Sequence, residues 1–263
     1  MKELPLKDGC YRTDPGAVFS RDLATLMFYP TMAAVVCHGS FLARYAARFY
    51  GHPGVCMSSM GVFVGLEAAG VRFDISGLDN VMNLTGPCVI IGNHMSVLET
   101  LTMPAIIGAY KDITFVIKKE LATYPVFRYL LMSMNPIVVN RTNPREDLTA
   151  VLTQGSAILA EGRSLVIFPQ SSRSVTFDPK VFNTIGIKLA LRANVPVIPL
   201  AIKTDVWGNG KRIKDFGPID PAKTAYFAFG QPMYIKDRGI QQHQLIIEFI
   251  TEKLKQWQLS VSS

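Results

Sequence analysis

Ile90-Ile91-Gly92-Asn93-His94-Met95-Ser96-Val97-Leu98-Glu99 places a histidine and a carboxylate five residues apart at the end of an apolar run. Histidine titrates near neutral pH and is the natural general base toward an alcohol. A carboxylate beside it fixes the tautomer and stabilises the imidazolium. Cys88 to Ile91 reads as a buried strand, and a helix is expected to follow with Ser96 as its N-cap. His94 then lies at the C-terminal edge of a strand, where α/β sheets collect their ligands. Ser96-Val97-Leu98-Glu99 also fits the capping box, in which Glu99 reaches back to the Ser96 backbone N–H. The two roles are compatible, because a capped turn can present His94. Asn93 is expected to fix that turn through its amide. His94 and Glu99 lack the i, i+4 spacing of helical metal ligands, and no further histidine or acidic cluster accompanies them, so no metal is expected.

Three further segments carry charge or hydroxyls at strand ends. Ser164 to Phe168 is a short apolar strand followed by Pro169-Gln170-Ser171-Ser172-Arg173-Ser174, whose hydroxyls and backbone N–H groups suit an anion nest. Arg141 closes the apolar strand that starts at Pro136, and a guanidinium there can fork onto phosphate oxygens. Lys118 follows Phe115-Val116-Ile117. Each has a plainer role open to it: a sheet-edge cap for Arg141, a solvated loop charge for Arg173, a surface lysine for Lys118.

These blocks, with Val195-Pro196-Val197-Ile198-Pro199-Leu200 and Phe229-Gly230-Gln231-Pro232, stand in an order that resembles the glycerolipid acyltransferase family, whose best-known members acylate lysophosphatidic acid. In that family the first motif is Asn-His, four residues, then Asp; the third is Phe-Pro-Glu-Gly-Thr-Arg-Ser. The resemblance runs from about Val71 to Pro232. This chain departs from it in four places, three of which change the chemistry: Glu99 replaces Asp, and Gln170 and Ser171 replace Glu-Gly. Ser172 for Thr keeps the hydroxyl. The resemblance implies an acyltransferase that esterifies the free hydroxyl of a lysophospholipid, with His94 as base and Glu99 behind it. It implies Arg141, Arg173 and Lys118, with Ser171 and Ser172, on the acceptor phosphate, and Asn93, Ser96 and Gln170 in support. No acyl-enzyme and no cofactor are expected; acyl-CoA or acyl-carrier protein serves as the donor substrate. The alternatives are a zwitterionic or amino-acid lysolipid acceptor, or a catalytically silent relative that binds membrane lipid.

The whole chain fits this picture. It has 263 residues, 49% hydrophobic, with net charge +7, and a mean hydropathy of +0.23. Basic and apolar together favour a membrane partner; no basic run with interleaved aromatics and no zinc-finger pattern points to nucleic acid. Cys10, Cys37, Cys56 and Cys88 form no C-x-x-C pair and read as ordinary thiols of a reducing compartment. Leu23 to Ala43 contains no charged residue, and neither does Val55 to Leu66 beyond the turn Gly51-His52-Pro53-Gly54; Arg44 and Arg48 lie between. These segments predict a helical hairpin over residues 1–70 that lies on a membrane, with a single span or a core position as alternatives. His38, His52 and His243 are assigned to structure or surface. From Val71 onward strands near 71–76, 88–92, 113–117, 136–140, 164–168, 196–202 and 225–229 alternate with helices near 97–109, 124–133, 145–161, 182–193 and 240–258. That alternation predicts an α/β domain over 71–263 with a mixed, mostly parallel sheet flanked by helices. The expected location is the cytoplasmic face of a membrane.

Overall fold

The computed structural model describes residues 3–14, 16, 19–170, 172–210 and 215–259. Its elements in chain order are β1 (Tyr11–Arg12), α1 (Arg21–Tyr45), α2 (Ala47–Ala68), β2 (Arg72–Ser76), α3 (Asp79–Met82), β3 (Val89–Gly92), α4 (Leu98–Ile107) and β4 (Ile113–Lys118). There follow α5 (Lys119–Ala122), α6 (Phe127–Met132), β5 (Ile137–Val139), α7 (Pro144–Ala160), β6 (Ser164–Ile167), α8 (Ile185–Ala193), β7 (Val197–Lys203), β8 (Thr224–Phe229) and α9 (Ile240–Leu259). The strands make one sheet in the order β1-β2-β8-β7-β3-β6-β4-β5. Five neighbouring pairs are parallel; β1 with β2 and β7 with β8 are antiparallel. This is the mixed, mostly parallel sheet expected from the strand–helix alternation. The two-residue β1, too short to show a period, is an addition.

Successive residues of the central strands enter different cores. Ile90, Val166 and Ile198 join one cluster with α1, α2 and α4. Val89, Ile91, Leu165 and Ile167 join the other with α7, α8 and α9. A strand covered on both faces must be apolar throughout, which is why β3 and β6 read as unbroken apolar runs. On α9 the buried apolar face is Ile246, Ile250 and Leu254, while the neighbouring Leu245 is 44% exposed.

The hairpin departs from expectation in one respect. The chain turns at Ala46, and Gly51 is a kink inside α2 rather than the connecting turn. Gly51 takes φ 40°, a region open to glycine, and Pro53 then falls in the first turn of the resumed helix, where its missing N–H costs nothing. The hairpin packs on the sheet through aromatics: Phe63 stacks on Phe73 at 4.1 Å, and Phe28 meets Trp207 edge-on at 4.9 Å. Its outer side is apolar and open, with Leu26 at 71%, Phe41 at 60% and Met57 at 66% exposure. Among the described residues α1 is the one helix long and apolar enough to cross a membrane. His52 is structural: it bonds the Gly108 carbonyl at 2.9 Å and pairs with Asp112 at 3.2 Å.

α2 is also joined to α4. Ser59 Oγ donates to the Leu101 carbonyl at 2.6 Å and accepts from Ala105 N at 2.8 Å. The hydroxyl thus enters the backbone ladder of α4 beside Pro104, which has no N–H to give.

Because the hairpin and the sheet share one core, they are expected to unfold together. Phe63→Ala removes a ring from that shared core and is expected to cost about 3–5 kcal/mol. Calorimetry should show a single transition moved down in temperature; a separate low-temperature transition for the hairpin would contradict the shared core.

Candidate active site

Gly92 ends β3 opposite Leu200 of β7, where a Cβ would stand 2.8 Å from the Leu200 carbonyl oxygen. Asn93 follows and carries the strand pairing onward with its side chain. Its Nδ2 donates to the Ile202 carbonyl, and its Oδ1 accepts from Ile202 N, both at 2.8 Å. The chain is thereby held to β7 up to the residue before His94.

His94 is fixed through backbone and ring alike. Its backbone N–H donates to Gln170 Oε1 at 2.7 Å, and its carbonyl accepts from Ser174 N at 2.9 Å. Its Nδ1 lies 2.8 Å from Glu99 Oε1. Its ring stacks on Phe168 with centroids 4.5 Å apart and planes 7° from parallel. A carboxylate can only accept, so Nδ1 is the donor in this bond. Gln170 is thus a support for the histidine turn, and its carbonyl oxygen supplies an acceptor without a charge.

Glu99 is fully buried, and its carboxylate takes five hydrogen bonds. Oε1 accepts from His94 Nδ1, Met95 N at 2.6 Å and Ser96 N at 2.9 Å. Oε2 accepts from Ser96 Oγ at 2.9 Å and Thr204 Oγ1 at 2.6 Å. Burial alone would push its pKa up; the His94 hydrogen bond and charge, with Thr204 and Ser96, outweigh burial and hold it below the usual carboxylate range. The cap and the histidine contact expected of Glu99 are therefore both present, on one oxygen. Ser96 is displaced from its expected place: α4 starts at Leu98 with Val97 at the N-cap position. Ser96 still accepts from Leu98 N at 3.1 Å, because its hydroxyl is drawn inward to the carboxylate.

Thr204 was not foreseen from the sequence. It follows the last residue of β7, the strand beside β3, and is fully buried. A hydroxyl at the C-terminal end of the strand next to the histidine strand is the signal that marks it.

His94 opens onto a cavity of about 670 Å³. Lys118, Arg141, Ser172 and Arg173 line it, as do the apolar Met32 and Val36 of α1, with Phe115 and Leu131. Arg141 sits at φ 59°, its backbone N–H donating to Asp147 Oδ2 at 2.8 Å. Burial lowers its guanidinium pKa, against the opposing charges of Glu120 and Asp147. Arg173 is not a solvated loop charge: its Nη2 is 2.5 Å from Asp215 Oδ1. Ser172 is exposed at the cavity, and Ser171 lies outside the described residues.

Two outcomes follow from the buried carboxylate. Thr204→Val removes one charged hydrogen bond, worth roughly 1.5–3 kcal/mol. Stability is expected to fall by that much, with Thr204→Ser restoring it; a Val variant as stable as wild type in thermal unfolding would show the hydroxyl to be idle. Because the folded pKa of Glu99 is depressed, the stability it contributes is full above the ordinary glutamate value of about 4.3 and is lost as pH falls below it. The unfolding free-energy advantage of wild type over Glu99→Gln should therefore shrink on acidification; an advantage that grows would mean that Glu99 is not ionised in the fold.

Comparison with known proteins bears on this arrangement. The chain is 33% identical over 133 residues to a 1-acyl-sn-glycerol-3-phosphate acyltransferase of Pseudomonas aeruginosa, covering 51% of this chain and 50% of that protein. It is 26% identical over 168 residues to a chloroplast 1-acyl-sn-glycerol-3-phosphate acyltransferase of Brassica napus, covering 64% of this chain and 45% of that protein. The matched stretches thus span about half the length of these relatives. The crystal structure of the 1-acyl-sn-glycerophosphate acyltransferase PlsC from Thermotoga maritima shares the fold, with a TM-score of 0.63 at 20% identity over 90% of this chain and 95% of that one. Residues 72–203, half of the chain and the stretch that holds His94, Glu99, Arg141 and Arg173, match the acyltransferase family model, and the chain belongs to the acyltransferase family.

Proposed function

We propose that this protein transfers an acyl group from acyl-CoA or acyl-carrier protein to the free hydroxyl of a lysophosphatidic acid-like acceptor, with His94 as general base. The observation that carries the reading is the His94 ring, backed by buried Glu99, facing a cavity that is cationic in one part and apolar in another. Nε2 takes the acceptor hydroxyl proton as the oxygen attacks the thioester carbonyl. The tetrahedral intermediate collapses, the C–S bond breaks, and the departing thiolate recovers the proton from the imidazolium. Glu99 holds Nδ1–H and offsets the imidazolium charge. The reaction uses no cofactor. Lys118 and Arg141 meet the acceptor phosphate, with Ser172 from the loop after β6. Arg173 joins them only by sharing or leaving Asp215. Acyl chains occupy the apolar part beside α1.

Residues 1–70 act as the membrane-facing arm and 71–263 as the catalytic part. The exposed apolar side of the hairpin supports attachment to a membrane surface, on the cytoplasmic face where acyl-CoA and acyl-carrier protein are found. A lysolipid with a zwitterionic headgroup is the second reading. Asp215 favours it, because this residue lines the cavity and its carboxylate, paired with Arg173, would meet the ammonium group by exchanging one cation for the other.

Purified protein should be given labelled acyl-CoA and acyl-carrier protein with lysophosphatidic acid, lysophosphatidylcholine and lysophosphatidylethanolamine. Lysophosphatidic acid is expected to be the best acceptor, and His94→Ala to lower its acylation about 10²–10⁴-fold without unfolding. A zwitterionic lysolipid used best would move the proposal to the second reading. No acylation of any acceptor, or full activity in the His94→Ala protein, would overturn the reading.

A further inference from the structure

The end of α1 and the start of α6 gather two guanidinium groups around one phenol ring. The Arg44 guanidinium carbon is 5.2 Å from the Tyr129 ring centroid and 5.0 Å from that of Tyr45. The Arg128 carbon is 4.7 Å from the Tyr129 centroid, and its Nη2 donates to Tyr129 Oη at 2.6 Å. Among the described residues no carboxylate pairs with either arginine. Two like charges are thus held close, on the surface, without a neutralising carboxylate among those residues. Arg12, by contrast, is paired with Asp74 at 3.1 Å.

The surroundings say what would neutralise them. Phe41 and Tyr45 on α1 are 60% and 66% exposed, and Val126 and Met132 by α6 are 46% and 41% exposed. Apolar side chains, tyrosines and arginines side by side form the pattern of a membrane interface: rings and apolar groups enter the acyl boundary while guanidiniums stay at headgroup depth. A guanidinium presents a planar fork of donors that matches a phosphate. Neither arginine lines the cavity at His94, so this cluster is separate from the acceptor site.

We infer that Arg44 and Arg128, spaced by Tyr129, bind the phosphate of an anionic phospholipid headgroup in the membrane surface. The inference rests on the reading that the hairpin lies on a membrane. It adds that attachment is selective for anionic lipid and that this cluster sets the depth and tilt at which the cavity meets the bilayer.

The test is co-sedimentation of the full chain with vesicles of phosphatidylcholine alone and of phosphatidylcholine with phosphatidylglycerol. It compares wild type, the Arg44→Gln/Arg128→Gln double variant, and a charge-matched Lys180→Gln/Arg192→Gln control. Wild type and control should prefer the anionic vesicles. With about one kcal/mol per basic residue at a charged surface, the Arg44/Arg128 variant should bind them about thirtyfold more weakly, with an unchanged melting curve. Its binding to pure phosphatidylcholine, carried by the apolar side chains, should stay near wild type. Equal binding of wild type to both vesicles, or equal losses in the two double variants, would overturn the lipid-phosphate site and leave the membrane reading standing. Wild type that binds neither vesicle would overturn both.

Discussion

Placing a carboxylate where water does not reach costs several kcal/mol unless polar partners replace its hydration shell. Glu99 meets that condition with five donors drawn from a turn, a serine, a threonine and a histidine. Much of the local architecture follows from it. The chain after β3 must turn tightly enough for Met95 and Ser96 to aim their N–H groups at one oxygen. β7 must end with Thr204 within reach of the other. His94 is then the member of the group that faces the cavity, and it receives the field of the whole assembly. The Glu99 carboxylate thus joins the turn, at Met95 and Ser96, to the end of the neighbouring strand, at Thr204.

The second constraint is that both faces of the sheet are covered, one of them partly by the hairpin. α1 forms part of the cavity wall through Met32 and Val36 while its other side is exposed. Ser59 ties α2 into α4, the helix that begins beside Glu99. The element that would meet the bilayer is therefore in direct contact with the elements that hold the histidine.

The strands, the main helices and the histidine–glutamate pair were legible in the sequence because they follow local rules. Unbroken apolar runs mark β3 and β6, Asn143-Pro144 marks the start of α7, and the S-x-x-E pattern marks the turn at Glu99. What was not legible depends on distant pairing. Thr204 matters only because β7 lies beside β3, and Arg173 meets Asp215 across 42 positions of chain. Gln170 was expected in a supporting part, but its partner, the His94 backbone N–H opposite it, shows only in the fold. The hairpin turn was misplaced because Gly51 and Pro53 are turn residues by composition but accommodate a kink within one helix.

In the proposed reaction Glu99 acts through His94 and not as a structural cap alone. A double-mutant cycle on the acyl-transfer rate measures that directly. His94→Ala, Glu99→Gln and the combined variant are compared with wild type at saturating acceptor. The predicted result is that Glu99→Gln slows the wild-type enzyme sharply and slows the His94→Ala enzyme hardly at all. Losses that simply multiply in the combined variant would contradict the claim, because the carboxylate would then work independently of the histidine.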